Sequence, residues 1–333
     1  MRQGAFVLLL GALAAALLLG LAVGPYPLSL DDVVRAAARA FGVDHGAPTA
    51  GEIVFGRVRL PRVAAGMLVG AALAGAGTTY QTLFRNPLVS PDILGVATGA
   101  GLGAVAGILL SLPVAGIQGL AFLGGLATVG LVYVIAAALR GHDRTLVLVL
   151  GGVVVGALAG ACISLVKILA DPYDQLPAIT FWLLGSLAGV KLADLATVAP
   201  LVLAGLVPLV LFRWRIGVLS LGDDEARSLG VDVFRLRALV IGAATLMTAS
   251  VVAVSGVIGW VGLMIPHIAR MLVGPNFSRL LPASMLLGAS FMLIVDTAAR
   301  SIARVETPLG ILTAVLGAPF FLWLLARGRR TWG

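Results

Sequence analysis

Residues 213–237 read RWRIGVLSLGDDEARSLGVDVFRLR, and their place between two long apolar runs decides how the chain is read. The stretch holds nine of the chain's 38 charged residues. On either side lie hydrophobic stretches of about 20 residues, the length a helix needs to cross a bilayer. Gly222 and Asp223 precede Asp224 and Glu225, which puts acids where the amino end of a helix is electrostatically positive. Ala226 and Leu229 fall three apart on one face, and Gly230 stands where a left-handed cap would end the helix. The pattern predicts a short helix of about two turns, with a small apolar face and a charged shoulder, projecting from a membrane and suited to docking on another protein. An ordinary solvated loop between two spans fits the stretch equally well.

Composition supports the membrane setting. Sixty per cent of the 333 residues are hydrophobic, 11% are charged and the mean hydropathy is +1.07. A water-soluble domain carries about 25% charged residues. The 43 glycines suit helices that must approach closely in lipid. No linker interrupts the apolar runs, so residues 1–333 read as one all-α, polytopic membrane domain. The net charge of +8 does not indicate nucleic acid, because the basic residues stand singly at the ends of spans, where they anchor and orient helices. Cys162, alone and within an apolar run, reads as a packing residue.

Ten spans are predicted, near 5–24, 61–84, 93–110, 116–139, 146–168, 194–213, 233–254, 258–273, 281–303 and 309–326. The first run is long for a secretory signal and lacks a convincing cleavage site, which favours an uncleaved span. Residues 25–58, with Asp31, Asp32, Arg35 and Arg39, could form an amphipathic surface helix. Pro61 suits the first turn of the second span, on which Gly66 and Gly70 form a GxxxG. RNPLVSPDILG (85–95) reads as a shaped turn. Gly152, Gly156 and Gly160 make a smooth stripe for close helix contact. The segment 170–192, broken by Pro172 and Pro177, reads as a partly inserted short helix. With ten spans both termini share one side. A cytoplasmic placement leaves 14 of the basic residues inside and nine outside, the bias expected of the positive-inside rule.

The chemistry of catalysis is hard to assemble here. Lys167 and Lys191 are the only lysines and neither follows a glycine-rich turn, so no P-loop is present. His45, His142 and His267 lack the spacing of a helical metal site. No cofactor is expected. Asp296 is the one candidate deep acid, and an ion pair with Arg300 four residues on is favoured over a proton relay. Arg57, Arg59 and Arg62 crowd the outer amino end of the second span, a place doubly unfavourable for cations. They suggest an acidic partner outside, and Arg300 and Arg304 add to that surface.

Longer motifs carry a resemblance. SGVIGWVGLMIPHIARMLVG (255–274), RLLPASMLLGAS (279–290), DTAAR (296–300) and TPLGILTAVLGAPFFLWLL (307–325) resemble the permease subunits of ATP-driven importers for iron–siderophore complexes, haem and cobalamin (FecCD-like, type II). RLPR (59–62), QTLFRNPLVSPDILGVATGAG (81–101) and GDDEARSLGV (222–231) match the same family, so the resemblance covers nearly the whole chain. It implies a non-catalytic subunit of the bacterial inner membrane, working as a homodimer with the path on its two-fold axis. Two cytoplasmic ATP-binding subunits would bind below and a periplasmic substrate-binding protein above. Asp223, Asp224, Glu225, Ala226, Arg227, Leu229 and Gly230 look like the ATPase-coupling element within 213–237. Arg59, Arg62 and Arg300 look like the arginines that receive the binding protein. Asn86 and Leu88 are similar to cytoplasmic gate residues, joined by Thr145, although HDRT (142–145) departs from the pattern. The expected cargo is an iron chelate, haem or a ferric siderophore, with cobalamin or molybdate as alternatives. From other classes, an ion-gradient-driven carrier lacks deep acids and an intramembrane enzyme lacks a catalytic set.

Overall fold

The computed structural model describes residues 2–43, 46–139, 144–303 and 305–328. Among them the regular structure is helical and no strand occurs. Helix α1 (Arg2–Ala22) leads to a small two-helix cap, α2 (Leu30–Ala40) and α3 (Ala50–Val54). One π turn (Phe55–Arg59) joins α3 without a break to α4 (Leu60–Leu83). After a 3-10 turn (Pro91–Leu94) come α5 (Val96–Leu109), α6 (Val114–Ala138), α7 (Arg144–Leu169), α8 (Gln175–Leu184) and α9 (Leu192–Leu211). Two short helices, α10 (Arg213–Leu219) and α11 (Asp223–Ser228), precede α12 (Val233–Ser255), α13 (Val261–Val273), α14 (Phe277–Ala299) and α15 (Leu309–Gly328).

Seven described helices are long and apolar enough to cross a membrane: α1, the continuous 50–83 helix, α6, α7, α9, α12 and α14. The apolar helices α5, α8 and α13 are shorter, as is the 309–324 part of α15. The 50–83 helix, α12 and α14 are largely buried, whereas α1, α6, α7 and α9 have fewer than a third of their residues fully buried. The core therefore sits along the first three. The 50–83 helix and α14 pack backbone to backbone, since a β-carbon on Gly70 would fall on the Gly288 carbonyl and one on Gly288 on the Gly70 carbonyl.

One expectation needs extending and two need correction. α4 starts at Leu60 with Pro61 in its first turn, but the helical run to which it belongs begins at Ala50 and passes through the π turn. The wider π turn just before Pro61 accommodates a ring without an N–H, so the helical run continues upstream of the proline. The glycine stripe on α7 does not serve helix contact throughout. A β-carbon on Gly152 would strike the Ile93 carbonyl of the 3-10 turn, and one on Gly160 would meet nothing within 4 Å. Third, Ala226 and Leu229 do not share a free face: Ala226 is buried and Leu229 is 53% exposed. The amphipathic surface helix expected in 25–58 is α2, which has no buried residue.

Candidate functional site

Two groups of charged residues lie at opposite ends of α4 and α14. At one end is the knob, α10 and α11. Gly222, at φ +140°, a conformation that favours glycine, lets the chain turn into α11 beside the Glu225 carboxylate. Asp223 accepts from Arg237 Nη2 of α12 at 2.9 and 3.1 Å, which ties the knob to the core helix. Arg227 donates to Asp224 Oδ1 at 2.7 Å. Gly230, at φ +76°, closes α11, with Val231 N donating to the Ala226 carbonyl at 3.0 Å. Ala226 anchors the inner face, while Asp224, Glu225, Arg227 and Leu229 stand exposed.

The shaped turn shares this end. Asn86 Oδ1 accepts from Leu88 N at 2.9 Å, and Asp92 Oδ1 caps α5 through Ala97 N at 2.9 Å. Asn86 and Leu88 are exposed. Arg85, at φ +50°, lies near Gly222 of the knob. Thr145 falls in the first turn of α7, and its side chain lies outside the described residues, as do His142 and Asp143.

At the far end is an ion lattice. Arg59 and Arg62 on the 50–83 helix and Arg300 after α14 do converge, but all three are buried, at 3%, 7% and 8% exposure. Arg59 donates to the carbonyls of Leu21 (2.7 Å), Ala22 (3.2 Å) and Tyr26 (2.7 Å), where the end of a helix favours a cation. Arg62 lies between Asp296 (Nη2 to Oδ1, 2.8 Å) and Glu306 (Nη1 to Oε2, 2.9 Å; Nη2 to Oε1, 2.7 Å). Arg300 Nε is 3.4 Å from Asp296 Oδ2 without hydrogen-bond geometry. The main partner of Asp296 is thus Arg62, and the expected pairing with Arg300 is the looser one. The charge surplus attributed to an outside acid is largely met within the chain, by Asp296 and Glu306. Of the trio, Arg300 lines an open recess of about 500 Å³ together with Glu306, Gly24 and Ser301. Arg57 is exposed, and Arg304 lies outside the described residues.

Sequence reasoning missed Glu306, Glu52 and the role of Asp32. Asp32 accepts from Ser29 Oγ (2.7 Å) and Thr49 Oγ1 (2.9 Å), joining α2 to α3. The Ser29 hydroxyl and amide, then Thr49, hold its carboxyl below its ordinary value. Buried Glu52 accepts from Arg39 at 2.9 Å. The available signals were Ser29 three residues before Asp32 and an acid just after the basic 300–304 run.

No group of three metal-ligating side chains occurs among the described residues. A bundle of apolar helices with a mounted knob at one end and an ion lattice at the other has the architecture of a multi-pass membrane protein. The FecCD transport family matches residues 12–327, and the chain belongs to that family as a permease of the ABC-importer type. It is 38% identical to the cobalamin import system permease protein BtuC of Halobacterium salinarum, over 94% of this chain and 93% of that one. It is 40% identical to the molybdate import system permease protein MolB of Haemophilus influenzae, over 94% and 92%. A metal-chelate type ABC transporter solved in an inward-facing conformation superposes with a TM-score of 0.87 at 37% identity, covering 98% of this chain and 100% of that one.

Proposed function

We propose that this chain forms the translocation path of a binding-protein-dependent importer of the bacterial inner membrane, carrying an iron chelate, haem or a ferric siderophore, as a homodimer. The reading takes ten spans, with α5, α13 and α15 added to the seven long helices and α8 partly inserted, and both termini in the cytoplasm. The knob then faces inward and receives the ATPase, while the ion lattice faces outward and receives the binding protein. Asn86 and Leu88, with Thr145, narrow the cytoplasmic mouth. ATP closure of the ATPase pair moves the knob, and the two halves rock so that the path opens to one side at a time. No covalent chemistry is assigned to this subunit. Kinship to a metal-chelate transporter supports the cargo class; cobalamin and molybdate are the alternatives, each carried by a relative.

The observation that carries the coupling role is the mounting of the knob. Its inner face is fixed by Ala226 and the Asp223–Arg237 pair, and its outer face presents uncovered Glu225 and Leu229. An apolar contact flanked by charge fits a cleft on a partner. The test is Glu225→Arg with Leu229→Glu, measured for ATPase co-purification and for uptake in reconstituted vesicles. Both should fall sharply while the chain still inserts. Intact association with full uptake would refute the coupling role.

A further inference from the structure

Glu306 is the least enclosed member of the outer ion lattice, with its side chain 30% exposed against 8% for Arg62 and 1% for Asp296. It accepts from both Nη atoms of Arg62 and from Ser186 Oγ at 3.2 Å. With Nε and one Nη also serving Asp296, the Arg62 guanidinium has no edge left for another carboxylate. Arg59 is similarly committed to carbonyls at the end of α1 and just after it. The recess of about 500 Å³ therefore offers an arriving acid one arginine, Arg300, and one repelling carboxylate, Glu306.

We propose that Glu306 is a built-in counter-acid: it keeps Arg62 neutralised until an acidic side chain of the binding protein enters the recess beside Arg300 and takes Arg62 over. This rests on the reading of the outer end as the docking face. Its physical basis is that Asp296 faces both Arg62 and Arg300, so without a second carboxylate two buried guanidinium groups would share one acid. Exchanging one carboxylate for another keeps Arg62 compensated before, during and after docking. The exchange also makes docking weaker than an open arginine cluster would allow, which suits a partner that must leave in every cycle. A side chain that cannot reach past the rim meets the Glu306 charge and is turned away, so Glu306 adds selectivity by repulsion. The group that gives way is the Glu306 side chain, not a spanning helix, and the Arg62–Asp296 pair stays in place.

The test measures the dissociation constant of the cognate binding protein for the dimer with its ATPase in nanodiscs, at low and high salt. E306Q keeps the shape of the side chain and a hydrogen bond to Arg62 but removes the charge, and should tighten docking by about tenfold. E306D keeps the charge with a shorter reach, holds Arg62 less well and should fall between wild type and E306Q. R300Q should weaken docking, and more weakly so at high salt. Docking by both Glu306 variants that is unchanged or weaker, while R300Q still weakens it, overturns the counter-acid and leaves the docking face standing. No change in any of the three variants overturns the counter-acid and the docking face together.

Discussion

Removing the Asp296 carboxylate would leave Arg300 without an acid partner and Arg62 with Glu306 alone, both enclosed in the bundle with side chains 6% and 8% exposed. A buried charge stripped of its partner costs more than the pair contributed, on the order of 3–5 kcal/mol. Asp296→Ala is therefore expected to lower the melting temperature of the detergent-purified chain and its folded yield. Adding Arg62→Met, a side chain of similar length with no charge to compensate, should recover much of the loss. A double variant no more stable than Asp296→Ala alone would mean that the lattice is not what holds α4 to α14 at this end. The residue scale is also where the sequence was hardest to read. Arg300 is visible from Asp296 by helix spacing, but Arg62 lies 234 positions away and reaches it only through the fold. The three crowded arginines were legible as an anomaly. Their acids were not, because Glu306 belongs to an irregular segment whose spacing says nothing about direction.

At the scale of elements, locally specified features were legible and those depending on a neighbour were not. The acids of α11, its closing Gly230 and the amphipathic α2 are written in adjacent residues, and each appears where expected. The start of the 50–83 helix was not legible, since a π turn has no sequence mark and Pro61 reads as a beginning. Gly66 and Gly70 look equivalent in the sequence, yet the structure separates them. A β-carbon at Gly66 meets only the side chains of Leu293 at 3.4 Å and Leu187 at 3.6 Å, whereas at Gly70 it falls on the Gly288 backbone. Side chains can shift by tenths of an ångström, and a backbone in a packed crossing cannot. Gly66→Ala should accordingly be silent in melting temperature and uptake. Gly70→Ala should force α4 and α14 apart and cost about 1–3 kcal/mol or more, read as lost folded yield. Equal behaviour of the two variants would contradict the crossing.

At the scale of the whole molecule, the decisive question is where the driving force enters. The knob and the lattice sit at opposite ends of the same two buried helices, and Asp223–Arg237 ties the knob to α12 packed beside them, so a push on one end can reach the other through this buried core. Close backbone packing makes that core stiff, as a lever requires. An ion-driven carrier needs something different, namely an acid inside its spans that is free to gain and lose a proton. Asp296 is the buried carboxylate of α14, and it is already spent on Arg62. Proteoliposomes holding the dimer, its ATPase and ATP should therefore accumulate cargo from the loaded binding protein after ionophores have collapsed proton and sodium gradients. Omitting ATP, with the gradients intact, should abolish accumulation. Uptake that survives without ATP and stops with the ionophores would transfer this chain to the carrier class, and the Asp296–Arg62 pair would then have to open during transport.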